Sequence, residues 1–220
     1  MIKKGESWGS DASRPPDVDI EGGDPILARS VVSDGAKPLI RYRPSPGADL
    51  ARAVGLSGSS SGTTELTVDA LDVLDADGAV TSAVNAAVVG VAPDRMSRWT
   101  RRIPFEVLVD GRSVWTGNAT GVVVANGQFL RGLDIVPRGH PGDGRIEVQV
   151  YAPTPGERAE MRRRLATGTH VPHPRILERS GRLVEVVVAA AAPVEVDGIA
   201  RPPTRRLRIA VVPGALRILV

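Results

Sequence analysis

Apolar positions in this chain follow two rhythms. Over residues 17–56 short apolar runs alternate in type. "DVDI" and "KPLIRYRP" predict strands, while "PILARSVVS" and "GADLARAVGL" predict short helices. Alternation of strand and helix predicts a fragment of a parallel α/β sheet. Next comes "SGSSSG" (57–62), a linker by composition. Beyond it the apolar period falls to two. "ELTVDALDVL" alternates through Leu66, Val68 and Ala70, with Leu71 and Val73 apolar as well. "AVTSAVNAAVVGVA" predicts one long strand buried on both faces. Asp110-Gly111 is a hairpin signal between two further strands. "RIEVQVYA", "LVEVVVAAAAPVEVDG" and "RRLRIAVVPGALRILV" complete the set. One helix is expected among the strands, over "TPGERAEMRRRLATG" (154–168), with Pro155 near its start and Gly168 past its end. The expected fold class is α+β, mostly β. A flexible tail (1–16) and a small α/β piece (17–56) precede the linker and an antiparallel β-sandwich body (63–212).

Composition supports this reading. The 220 residues include 24 Gly and 18 Pro, which suits short strands joined by turns, and 42% hydrophobic residues, which argues against disorder throughout. The absence of cysteine excludes disulfides, zinc–thiolate sites and thiol nucleophiles. No apolar segment is long enough to span a membrane, and "MIKKGESWGSDASRPPD" lacks the apolar core of a secretory signal. A cytoplasmic protein is therefore expected, with peripheral attachment at a membrane as an option.

The net charge of +3 is unevenly placed. Residues 151–220 carry 12 Lys+Arg against 6 Asp+Glu, whereas residues 1–150 carry 16 against 19. The basic end, with Arg162, Arg163 and Arg164 at its centre, suits either a solvated face or an anionic lipid surface. Aromatics make up 3% of the chain and do not interleave with the basic residues, so no nucleic-acid partner is expected. His170 and His173 lie in "THVPHPR", where prolines exclude a helix; they read as surface or turn residues rather than metal ligands. There is no G-x-S-x-G elbow.

Six short segments in order carry more information than any one of them. They are "GGDPI" (22–26), "PSPGADLAR" (44–52), "VVVANGQFLRG" (122–132), "VPRGHPGDGRIEV" (136–148), "VDGIA" (196–200) and "PGALRILV" (213–220). Together they resemble the landmarks of the diacylglycerol kinase catalytic family, the bacterial lipid kinases and sphingosine-kinase-like proteins with an NAD-kinase-like fold. The resemblance implies ATP-dependent phosphoryl transfer to a lipid hydroxyl, with Mg²⁺, in a cleft between an α/β nucleotide domain and a β-sandwich. It makes 17–56 the remnant of the nucleotide domain, and the final strand (213–220) one that returns toward it. It assigns nucleotide contacts to Gly22, Gly23, Gly47 and Asp49, a catalytic role to Asp24, and a cation to Asp143.

The departures from that pattern are specific. Pro25 and Ile26 stand where the family has Gly and Thr, and Pro46 and Ala48 where it has Thr and Asn. Arg138 and Gly142 replace two aspartates of the acidic turn, and Ile199 occupies the position of the family's proposed base. Proline lacks an N–H, and isoleucine accepts no proton. Only 21 residues precede Gly22, fewer than the ~30 of a βαβ unit. The nucleotide domain is thus expected to be truncated, its parallel strands covered by the body or by a partner, with a homo-oligomer as one option. The expected function is that of a lipid kinase family member with impaired catalysis, using ATP and Mg²⁺ if active and possessing no cofactor otherwise. A non-catalytic protein binding lipid or a membrane surface is the alternative, and an oligomeric β-protein without ligand a second.

Overall fold

The computed structural model describes residues 8–31, 37–56 and 62–220. Residues 1–7 of the expected tail, the end of the first expected helix (32–33) and most of the expected linker (57–61) lie outside the described residues. The strands are β1 (Ser10–Asp11), β2 (Val18–Gly22), β3 (Leu39–Pro44), β4 (Thr64–Leu74), β5 (Val80–Ala83), β6 (Ala86–Gly90), β7 (Ile103–Val109), β8 (Arg112–Ala119), β9 (Gly121–Ala125), β10 (Phe129–Leu130), β11 (Leu133–Asp134), β12 (Ile146–Tyr151), β13 (Ile176–Gly181), β14 (Leu183–Val196) and β15 (Ile199–Leu219). The helices are α1 (Asp24–Leu27), α2 (Asp49–Ala53) and α3 (Arg158–Arg164). The protein is mostly antiparallel β with a sandwich-like body, and its small α/β part is parallel.

Two long strands tie these parts together. β15 pairs antiparallel with β14 and β4 along the body, and its last residues, Arg217–Leu219, pair parallel with Leu39–Arg41 of β3. β3 in turn pairs parallel with β2. Along β15, Leu207 and Ile209 face the sandwich core, whereas Leu216 and Ile218 face a second core with Leu27, Ile40, Tyr42 and Leu50. Odd and even positions of a strand point to opposite faces, and the two sets differ in parity. A bulge between Val212 and Leu216, with Gly214 at φ 55°, bends the strand between the two cores. β4 makes the same switch: Leu66 and Val68 belong to the second core, Leu71 and Val73 to the first. Asp69 sits at the crossover, buried, and its carboxylate accepts the N–H groups of Gly144 (2.6 Å) and Gly214 (2.7 Å).

Four expectations need correcting. Residues 8–16 are not a loose tail: β1 pairs with β4, and Trp8 donates to the Thr67 carbonyl at 3.2 Å. The first helix is a single turn, α1, continued by a 3₁₀ turn over Ala28–Ser30. The strand expected over 79–92 is broken at Val84-Asn85, where side chains replace the ladder. The Asp197 carboxylate takes the amides of Val84, Asn85 and Ala86, and Asn126 donates to the Val84 carbonyl. His170 is buried rather than on the surface, 3.2 Å from the Tyr151 hydroxyl, and burial lowers its pKa. The Asp110-Gly111 turn joins β7 and β8 with both residues at positive φ.

Candidate functional site

Four segments distant in sequence meet at one small pocket of about 160 Å³. They are the Gly23–Pro25 turn, the Ser45–Asp49 loop, the Leu130-Arg131 hairpin and the Asp197-Gly198 turn, with Asn85 at the base. Of the candidates above, Gly23, Asp24, Gly47 and Asp49 line it. Gly22 stands one residue away at φ 144°, a conformation for glycine; its carbonyl accepts the Tyr42 hydroxyl at 3.0 Å and the Ser45 N–H at 2.9 Å.

Each carboxylate in this pocket has a definite job. α2 begins after Ala48, which offers no side-chain oxygen to the orphan amides of a helix start. Asp24 provides one from across the pocket, accepting from Asp49 N–H at 3.1 Å and Leu50 N–H at 3.2 Å. Asp49 accepts from the amides of Arg131 (2.5 Å) and Gly132 (2.6 Å), which form the β10–β11 turn with both residues at positive φ. Asp197, at φ 46° in the β14–β15 turn, accepts from Val84 (2.8 Å), Asn85 (3.0 Å) and Ala86 (2.9 Å). All six carboxylate oxygens therefore accept backbone amides.

Three acids at such close quarters repel one another. Burial pushes the Asp24 pKa up to about 7, with the charges of Asp197 and Asp49 adding to the effect and the Leu50 and Asp49 amides opposing it. Burial also raises Asp197, to about 6, against the pull of its three amides. The Arg131 guanidinium bridges the rim, donating to Asp94 through Nε (2.9 Å) and Nη2 (2.5 Å) and to Glu195 through Nη1.

Residues 68–220 match the family described as YegS C-terminal NAD kinase beta sandwich-like domain. The chain belongs to this family. Among solved structures it is similar to a diacylglycerol kinase from Bacillus anthracis str. Sterne, with a TM-score of 0.73 and 16% identity over 92% of this chain and 76% of that one. It is also similar to yeast NADH kinase complexed with NADH, with a TM-score of 0.56 and 14% identity over 93% of this chain and 61% of that one. At such identities the likeness shows the fold. A search of curated protein sequences finds no match.

The ATP and Mg²⁺ that the resemblance implies find a poor match in these residues. Mg²⁺ takes oxygen ligands in strict octahedral geometry. Here every oxygen of the three acids already accepts an amide, and the described residues contain no group of three side chains placed to hold a metal ion. A carboxylate oxygen that accepts one amide retains a second lone pair, so what these acids lack is a shared ligand geometry among the described residues. The phosphate side is poor as well. Pro25 has no N–H, and the N–H groups of Ile26 and Leu27 turn back to the Gly23 carbonyl at 3.0 and 3.2 Å.

The remaining candidates lie elsewhere. Asp143 is not among the pocket residues; its Oδ1 accepts the Arg145 N–H at 2.9 Å within its own turn. The inward acid near that turn is Asp69, which sequence reading passed over. Arg162, Arg163 and Arg164 sit on α3, and the latter two pair with Glu160. Ile199 is 45% exposed and lines a different, larger cavity of about 640 Å³ beside the first turn. Pro25 and Ile26 form another part of that wall, with Arg29 and Arg201 alongside.

Proposed function

We propose that this chain is a lipid kinase family protein, by descent a phosphotransferase acting on a lipid hydroxyl, in which phosphoryl transfer is impaired. The observation that carries this reading is the engagement of all six oxygens of Asp24, Asp49 and Asp197 by backbone amides. Transfer requires a carboxylate to receive the hydroxyl proton and a cation to bridge phosphate oxygens. The acids that converge here each hold a backbone element, a helix start, a hairpin or a strand break, and turning one toward a substrate would give up those bonds. Ile199, at the position of the family's base, cannot substitute for them.

A second reading, binding without turnover, is favoured by the larger cavity. Pro25, Ile26 and Ile199 make one side apolar where the family pattern is polar, and Arg29 and Arg201 supply positive charge. That combination suits an anionic group attached to an apolar chain. No helix among the described residues is long and apolar enough to cross a membrane.

The test is ATP-dependent phosphate transfer to diacylglycerol, sphingosine and related lipids presented in mixed detergent micelles. The expected result is no labelled lipid above a heat-denatured control. Turnover that disappears in Asp24→Asn would sink the proposal.

A further inference from the structure

The segment Arg95–Arg102, "RMSRWTRR", holds four arginines, no acid and a tryptophan whose placement the cleft does not explain. Trp99 is 78% exposed, the largest value among the exposed large hydrophobic residues. An exposed indole on a loose loop would carry little meaning, but this loop is anchored at several points. Met96 is fully buried among Tyr151, Met161 and Leu165, and its sulfur accepts the Thr120 hydroxyl at 3.0 Å. The turn is closed by Ser97 N–H to Thr100 Oγ1 (2.9 Å), Thr100 N–H to the Ser97 carbonyl (3.1 Å) and Trp99 N–H to Ser97 Oγ (3.2 Å). From beneath, the buried Arg158 of α3 donates through Nη1 to the carbonyls of Ser97 (2.8 Å), Arg98 (3.1 Å) and Thr100 (2.7 Å). These bonds fix the loop, and none of them involves the indole, which they leave standing in water.

We propose that this loop is a docking surface for an anionic lipid bilayer, with Trp99 entering the headgroup region and Arg98, Arg101 and Arg102 contacting lipid phosphates. Charge complementarity points that way. Arg98 and Arg101 have no ion pair among the described residues, and Arg162 lies one turn beyond Arg158 on the same face of α3. Tryptophan is the side chain suited to a membrane–water boundary, with an apolar body and a polar N–H. Two rival occupants fit less well. A stacked base needs the ring face and successive platforms, but the Arg98 guanidinium already lies over the indole at 4.6 Å. A protein partner needs an apolar patch around the anchor, whereas the other exposed large hydrophobics, Val18, Ile26, Val80 and Ile199, lie in other segments. The loop is also wired to the cleft. Asp94, one residue before it, holds Arg131, whose own amide donates to Asp49.

The experiment is flotation of the full chain with vesicles of phosphatidylcholine alone or mixed with phosphatidylglycerol, without ATP or substrate lipid. It therefore reads docking whether or not the cleft turns over, and its failure leaves the kinase reading standing. Expected is binding to the anionic vesicles that is lost in high salt. Trp99→Ala should lower it about tenfold, and the pair Arg98→Ala/Arg101→Ala about 30-fold, at roughly fivefold per arginine. Lipids brominated along the acyl chain should quench tryptophan emission in wild type and not in Trp99→Ala. All these side chains are exposed, so unchanged circular dichroism and melting temperature serve as the folding control. Three results would overturn the proposal: no flotation, equal flotation of wild type and both variants, or binding of a single-stranded oligonucleotide in place of vesicles.

Discussion

Asp197→Ala lowers the stability of this protein by about 4 kcal/mol in urea denaturation near pH 7. The substitution leaves the amides of Val84, Asn85 and Ala86, all buried, without an acceptor. Each unmet buried amide costs about 1–3 kcal/mol. Alanine at φ 46° adds about 1 kcal/mol of backbone strain. Opposing these is the relief of removing a buried charge. A pKa raised from 3.8 to about 6 corresponds to roughly 3 kcal/mol at neutral pH, since a tenfold change in proton affinity is worth ~1.4 kcal/mol. The amide losses win because there are three of them. Asp197→Asn keeps an acceptor oxygen and tolerates the positive φ, so it should lose only about 1–2 kcal/mol. A loss under about 1 kcal/mol in the alanine variant would show that the strand break at Val84-Asn85 does not depend on this side chain.

Stability also falls as pH rises through neutrality, and Asp24 is the main cause. Its folded pKa, about 7, lies above the reference value of 3.8, so between those values the folded state holds a proton that the unfolded state has released. The stabilisation is fully present below pH 3.8 and is lost as pH rises through 7. Asp197 acts in the same direction over 3.8 to about 6. Asp69 and Glu147, also raised by burial, add in the same direction, whereas the acids with lowered values, Asp17, Glu65, Asp110 and Glu157, act only around and below their reference values of 3.8 and 4.5. His170 opposes the trend up to its reference value of 6.5, because burial keeps it neutral in the fold. Comparing wild type with Asp24→Asn cancels His170. The asparagine keeps one acceptor for α2 and carries no charge. The stability difference between the two proteins should therefore change by roughly 2–3 kcal/mol between pH 5 and pH 8, in favour of the variant at high pH. Parallel pH profiles would mean that Asp24 is not the group whose burial resists ionisation.

The sequence pattern made the β-rich body legible because its strands alternate and its Asp-Gly turn matches the twist of a hairpin. It failed where a side chain took over a backbone role. Nothing in "AVTSAVNAAVVGVA" signals a break, since the acceptor that permits one, Asp197, lies more than a hundred residues away. Asp69 was legible in principle. The apolar phase of β4 shifts between Ala70 and Leu71, and a phase shift turns a nearby polar residue inward. Asp24 and Asp49 were found through their family landmarks, yet their partners were not, because backbone amides leave no mark in sequence. Ala48 gave the one clue: a helix that starts without a capping side chain must borrow an acceptor. The basic cluster was sought on α3, where Glu160 meets two of its arginines. Arg98 and Arg101, which have no ion pair among the described residues, are on the Trp99 loop, which has no periodicity to read.

On the function proposed above, the three acids of the cleft serve the fold rather than phosphoryl transfer, and MgATP binding tests this most directly. A ligand that binds only the folded state, present at 100 times its dissociation constant, adds ~2.7 kcal/mol to unfolding. Urea denaturation of the wild-type protein with and without millimolar MgATP reads this directly. The predicted result is superimposable unfolding curves. A midpoint raised by MgATP, and no longer raised in Asp49→Asn, would contradict it and return these carboxylates to phosphoryl chemistry.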